Sequence, residues 1–295
     1  MQNNHKMETI KEPKYINPFT DFGFKKIFGE EANKDLLIDF LNELLASQNQ
    51  HIKDLTYKKT EKLGMSKLDR GVVFDLYCEN AKGEKFTVEL QKAKQVYFKD
   101  RMLYYSTRSI QEQGLKGDWD YKLNAVYIIG ILDFVFDELK IDDTVLTIAK
   151  IMDVQRNTVF YDKFTMVTLQ MPNFHKTEDE LESNFDRWLY VIKNLHRLEN
   201  IPAKLKTRIF EKLFNQASFS ALNKQDREKY EDSLKYYNDL KNSLDTAHEE
   251  GKIEGKIEGK IEGKIEMAKA MKNENIQIEI ISKISGLTKE EIEKL

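Results

Sequence analysis

Apolar residues recur along this chain with two different periods, and the change of period divides it. In NPFTDFGFKKIFGEEANKDLLIDFLNELL (residues 17–45), Phe24, Ile27 and Phe28 stand at i, i+3 and i+4 after a Thr20/Asp21 cap signal. Leu36, Leu37, Phe40, Leu41, Leu44 and Leu45 continue the helical spacing and predict a longer amphipathic helix. The pattern then shortens. GVVFDLYCEN (71–80) and EKFTVELQ (84–91) read as two strands joined by a turn around residues 80–83. VYFKDRMLYYSTRSIQEQG (96–114) predicts a helix ending at Gly114. KLNAVYIIGILDF (122–134) is a nearly continuous apolar run, the signature of a buried central strand, and further strands are expected near 145–152 and 163–170. Helix, strands, helix and strand in this order predict a mixed α/β domain to about residue 175.

From Thr177 the spacing is helical throughout. Two amphipathic stretches (179–199 and 203–222) are separated by Pro202, and a highly charged third (227–250) runs into four copies of Gly-Lys-Ile-Glu at 251–266. As a helix, the repeat advances about 400° per unit, so its Ile stripe drifts about 40° each time. Its i,i+4 neighbours are like charges and each Gly costs about 1 kcal/mol against Ala, which makes a weak helix on its own. Two readings stay open: a self-association stalk that makes a homo-oligomer, or a charged linker grown by duplication. The tail NIQIEIISKISGLTKEEIEKL predicts two short helices broken at Gly286, with Thr288 and Glu291 as a capping box. The expected organisation is therefore a core at 1–175, a helical region at 176–248, the repeat at 249–270 and a short helical tail at 271–295.

Composition narrows the class. With 295 residues, 40% hydrophobic and 11% aromatic, the chain can bury a substantial core and is not globally disordered. No stretch approaches the roughly 20 apolar residues of a membrane span, so no membrane partner is expected. The N-terminal segment lacks the apolar block of a secretory signal. A single cysteine, Cys78, cannot form an internal disulfide, which points to a reducing cytoplasm. Five scattered histidines show no zinc-ligand spacing. The net charge of −3 gives no global sign of nucleic-acid binding, but residues 51–108 carry thirteen Lys/Arg against eight Asp/Glu. That local excess of five suits a phosphate polymer, and equally a solvated mixed-charge surface.

The chemistry concentrates in that basic region. Asp75 interrupts an apolar strand, and Glu89 lies between Val88 and Leu90. An unpaired buried carboxylate costs several kcal/mol, so each must reach a strand end, a partner or a cation. In a hairpin centred on Lys82 the two stand opposite each other, and Gln91 shares the face of Glu89. Facing carboxylates repel unless a proton, a lysine or a divalent metal offsets them, and Mg2+ suits such a pair. The competing reading is an edge hairpin with solvated carboxylates. Lys94, Arg101 and Arg108 recur every seven residues with Tyr97, Tyr104 and Tyr105 between them, a stripe that can follow a nucleic-acid backbone or merely pack. Asp21 and Lys25 share a helix face; Asp21 alone reads as a helix cap or an early-turn acid. Cys78 has the opposite strand parity to Asp75 and reads as a packed thiol.

Taken in order, NPFTDFGFKKIFG, FDLYCENAKGEKFTVELQ, RMLYYS, VYIIGILDF and TLQMPNF resemble the Rpn family of recombination-promoting nucleases, also called PD-(D/E)XK nuclease family transposases. KYEDSLKYYNDLKNSLDTAHEEGKIEGKIEGKIE is similar to that family's C-terminal part. The resemblance implies a restriction-endonuclease-like α/β core, a mixed sheet flanked by helices, followed by a helical C-terminal region. It also implies Mg2+-dependent DNA endonuclease activity, with Mn2+ as a substitute, linked to recombination. By motif, Asp75 and Glu89 would be the metal ligands, and Gln91 stands where most of the superfamily has a catalytic lysine. Asp21 matches the acidic residue of the family's N-terminal helix, which would complete the catalytic site with Asp75, Glu89 and Gln91, and Lys25 matches a neighbouring basic position. DNA is the expected partner, with Lys25, Lys94, Arg101 and Arg108 as backbone contacts. The alternative is an inactive DNA-binding or assembly protein that keeps the fold. A helix-turn-helix in the tail is disfavoured because its second helix is acidic.

Overall fold

A computed structural model of the chain describes residues 13–62, 72–114, 120–136 and 143–295. The N-terminal segment, Gly71 at the head of the predicted first strand, and Lys67 and Arg70 of the basic region lie outside the described residues. The chain divides into two compact units, 1–237 and 238–295.

The first unit opens with α1 (Asp21–Phe28) and α2 (Lys34–Leu44). Thr20 caps α1 by accepting from the Gly23 N–H. Asn17 braces this entry, its Oδ1 accepting from the Phe19 N–H and its backbone carbonyl from the Thr20 hydroxyl. Gly23 is demanded by that turn, since a Cβ there would stand 2.1 Å from the Asn17 carbonyl oxygen. The strands are β1 (Leu55–Tyr57), β2 (Glu61–Lys62), β3 (Val72–Val73), β4 (Leu76–Asn80), β5 (Lys85–Gln91), β6 (Val126–Leu132), β7 (Leu146–Asp153) and β8 (Thr158–Gln170), with α3 (Phe98–Gln111) between β5 and β6. Six of them form one mixed sheet in the order β1-β4-β5-β6-β8-β7. β5, β6 and β8 run parallel, with antiparallel pairs at both margins.

The central strand β6 is buried along its whole length, as its unbroken apolar sequence predicts. Its two faces meet different layers. Ile129 and Ile131 join the main core with Leu76, Cys78, Val88 and Leu90, over which α1 and α2 pack. Ile128 and Leu132 face Phe98 and Met102 of α3. Gly130 lies between them, and a Cβ there would come within 3.2 Å of the Phe98 ring, so the glycine lets α3 settle close to the sheet. Cys78 is a fully buried thiol in the main core, and burial pushes its pKa up to about 12.

One expectation changes with the tertiary structure. The strand predicted over 71–80 is broken: β3 pairs with β2, the chain bends at Phe74–Asp75, and only β4 joins the main sheet. The helices after residue 175 share the core of the sheet. α4 (Asn184–Asn194) and α5 (Arg208–Gln216) bury Trp188, Phe210 and Phe214 in the same core as the sheet. Trp188 packs in tilted contact with the Phe28, Phe40 and Phe210 rings, and its indole N–H donates to Asp39 of α2. Their apolar faces complete the layer begun by α1 and α2, so the two segments make one core.

A single 50-residue helix, α6 (Lys224–Asn273), begins in the first unit and continues into the second. Its first turns hold α1: the Asn17 N–H donates to the buried Tyr230 hydroxyl, and the Phe22 N–H to Ser233. In the second unit the Gly-Lys-Ile-Glu repeat is helical. Ile253, Ile257 and Ile261 are about half exposed there, and a Cβ on any of the four repeat glycines would meet nothing. α7 (Ile278–Ser285) ends at Gly286 in the left-handed conformation, and α8 (Lys289–Glu293) starts with the Thr288/Glu291 capping box. Ile281 and Ile292 bury against Ala268. Among the described residues no helix is long and apolar enough to cross a membrane.

Gly23→Ala forces the α1 entry to shift. Overpacking of this kind costs about 1–3 kcal/mol, so urea unfolding should show a lower midpoint with little change in slope, whereas Gly259→Ala should leave the midpoint unchanged or raise it.

Candidate active site

The register of β4 against β5 builds the site. Leu76 pairs with Val88 and Cys78 with Phe86, so the position before β4, Asp75, falls opposite Glu89. The ladder ends there, and the two carboxylates take over its hydrogen bonds. The Leu90 N–H donates to Asp75 Oδ2 at 2.7 Å, and the Asp75 N–H approaches Glu89 Oε1 at 3.3 Å. The bend at Asp75 thus leaves neither amide orphaned.

Strand alternation sends Thr87, Glu89 and Gln91 to the α3 face and Leu90 and Lys92 to the opposite one. On the α3 face, Arg101 Nη2 pairs with Glu89 Oε2 at 3.1 Å. Arg101 Nη1 donates to Gln91 Oε1 at 3.2 Å and to Gln95 Oε1 at 3.1 Å. The Gln91 amide is held at its other end too, its Nε2 donating to the Ala93 carbonyl. On the opposite face, buried Lys92 reaches Asp21 Oδ1 at 2.7 Å, with its ammonium over the Tyr236 ring. Asp21 is therefore the first residue of α1 and an ion-pair partner of the strand end, while Thr20 is the cap.

Both facing carboxyls are raised above their ordinary range. Burial is the larger cause for Glu89, followed by the Asp75 charge, and together they push its pKa up to about 8 against the opposing pull of Arg101. Burial also raises Asp75, with Asp21 adding to it and Lys25 and Arg101 opposing. A pair that is this short of water and mutually repelling is relieved by a proton or a divalent cation. Its donor set is oxygen only, which fits Mg2+ or Mn2+, hard ions that retain waters. Among the described residues no three or more His, Cys, Asp and Glu side chains gather as a metal cage, so the fit is to an ion held by two carboxylates.

The seven-residue stripe does not form one continuous face. Arg101 joins the carboxylates, Lys94 stands exposed before α3, and Arg108 is buried, donating to Gln111 and the Tyr104 hydroxyl. Lys25 is exposed on α1. Lys92 and Gln95 escaped the sequence reading. Alternation from Leu90 was the available signal for Lys92, whereas Gln95 sits in an irregular segment that carries none.

The family model of the PD-(D/E)XK nuclease family transposases matches residues 18–247. No curated protein and no solved structure matches the chain.

Folding raises the Glu89 pKa, so the stability contributed by its protonated form is whole below the ordinary carboxylate range and is lost as pH rises toward about 8. With chelator present, the melting temperature of Glu89→Gln minus that of the native chain should climb between pH 5 and pH 9. Added Mg2+ should narrow the gap. A difference that stays level with pH defeats this account.

Proposed function

The chain belongs to the PD-(D/E)XK nuclease family transposases, and on that premise we propose that it is a divalent-metal-dependent DNA endonuclease. The observation that carries the reading is buried Glu89 facing half-buried Asp75, with Arg101 against it. A divalent ion on those two carboxylates supplies an activated water and a counter-charge for the phosphodiester.

The protein's own groups do the rest. Asp75 and Glu89 are preset by cross-strand hydrogen bonds, so little reorganisation is needed for them to act together. Gln91 is neutral and cannot bring the positive charge of a lysine. It can place that charge, because its Oε1 holds the Arg101 guanidinium beside Glu89. Arg101 then stands in for the lysine by stabilising the charge that grows on the phosphate. Asp21, tied to Lys92, fixes the start of α1 against the strand end, and Lys25 on the same helix faces solvent where a DNA backbone can be met. Lys94 extends that basic rim; Arg108, being buried, would support the helix that carries Arg101. The family's description as transposases makes DNA rearrangement the setting we assign to the cut.

Nicking of supercoiled plasmid in Mg2+ or Mn2+ tests the reading. Asp75→Ala and Glu89→Ala should lower the rate by more than the roughly 10–100-fold typical of residues behind a metal ligand. Gln91→Ala and Arg101→Ala should be non-additive, because the first acts through the second. A folded preparation that cuts no DNA with either ion, or an Asp75→Ala variant that cuts normally, refutes the assignment.

A second reading concerns assembly. The exposed Ile253, Ile257 and Ile261 favour self-association of the repeat helix, making the protein a homo-oligomer. Removal of residues 249–295 should reduce the mass seen by light scattering to that of a single chain. An unchanged mass leaves the repeat as a spacer.

A further inference from the structure

A cleft of about 530 Å³ lies between the segment leading into α3 and that helix's first turns, sharing Arg101 with the Glu89 ion pair. Its walls are Val96, Tyr97, Tyr104 and Tyr105, with Arg101 and Gln95 at its polar end. Val96 is 86% exposed and Tyr97 73%, with Tyr104 at 41%. Among the described residues nothing covers this apolar and aromatic surface, and such a patch marks a binding site. The third tyrosine has a different duty. Tyr105 is wedged between the Phe74 ring and the Arg101 guanidinium, 5.0 Å away, and holds the cleft's inner wall.

The geometry points to an unpaired nucleobase as the occupant of this cleft, and so to single-stranded or flapped DNA as the substrate class. This deepens the nuclease reading and rests on it. Three features choose the base. Exposed aromatic rings offer stacking faces that every base can use. Arg101 lines the cleft and also touches Glu89, so a strand whose phosphate lies at the carboxylates has its neighbouring base within reach of Tyr97 and Tyr104. Asp100 also lines the cleft. A carboxylate there repels phosphate but accepts from the exocyclic amine of a base, as Asp does in reading cytosine N4. In an intact duplex the bases are stacked inward and cannot enter, whereas an unpaired strand presents them without the cost of flipping.

The test uses the full-length protein with oligonucleotides carrying 2-aminopurine, in chelator so that nothing is cut. A single strand should bind about tenfold more tightly than the matching blunt duplex, with the fluorescence quenched on stacking. Tyr97→Ala and Tyr104→Ala should each lose about tenfold in single-strand affinity and most of the quenching, and Tyr97→Phe should keep both. Tyr97 precedes the helix and is exposed, so its variants report even if Tyr104→Ala misfolds. In Mg2+, a flapped duplex should be cut about tenfold faster than an intact one. Equal affinity for single strand and duplex, or affinity indifferent to Tyr97→Ala, overturns the proposal. So does a change in solution mass with Tyr97→Ala, which would make the cleft a protein interface. The two readings fail separately. Plasmid nicking that Tyr97→Ala leaves untouched, without strand preference, sinks the cleft alone. Quenching by an unpaired base from a chain that cuts nothing sinks the nuclease and leaves the cleft.

Discussion

Asp75 and Glu89 stand face to face across the end of the β4–β5 ladder, with little water to screen them, and that confrontation sets the terms for everything around it. Each carboxylate engages the backbone amide of the opposite strand, so the chain can leave the sheet at Asp75 without stranding a donor. The same contact concentrates two like charges in a setting that disfavours both, which is why Glu89 is pushed up to about 8. Stability and chemistry meet here: what makes the pair costly to ionise also makes it receptive to a divalent cation.

Buried Glu89 facing half-buried Asp75 calls for positive charge in a fixed place, and the fold supplies it from outside the strand. Arg101 reaches Glu89 because Gly130 lets Phe98 and its helix sit close to the sheet. Gln91 and Gln95 both accept from the Arg101 Nη1 while Nη2 pairs with Glu89. A planar, permanently charged fork suits this better than a lysine would, since it pairs with a carboxylate and two amides at once. Gln91 therefore serves to orient a cation that comes from α3 rather than from its own strand.

The other face of β5 ties the site to the helical layer. Lys92 pairs with Asp21, and α1 is held in turn by Tyr230 and Ser233 from the first turns of α6. Tyr237 extends the tie by donating to Asp133, whose amide bonds to the Gln91 carbonyl. Helices far along the chain therefore help place the strand that carries Glu89 and Gln91. This agrees with a family match that continues to residue 247, well past the sheet.

Much of this could be read from residue order. Alternation and a turn centred on Lys82 put Asp75 opposite Glu89 and Gln91 on the same face, because a hairpin's register follows from its midpoint and its period. The apolar run of β6, the Thr20 cap and the Thr288/Glu291 box are local patterns with local causes. Other features have no local cause. A seven-residue spacing cannot say that Arg108 is buried while Arg101 meets a carboxylate, since that depends on how closely α3 approaches the sheet. Nor can a charged strand end announce that Lys92 finds Asp21, 71 residues away, or that α4 and α5 complete the core begun by α1 and α2. The sequence by itself determined the strand register and the pair of acids. Only tertiary packing decided which cations answer them, because contacts between distant elements follow from helix placement, which carries no periodic signature in the chain.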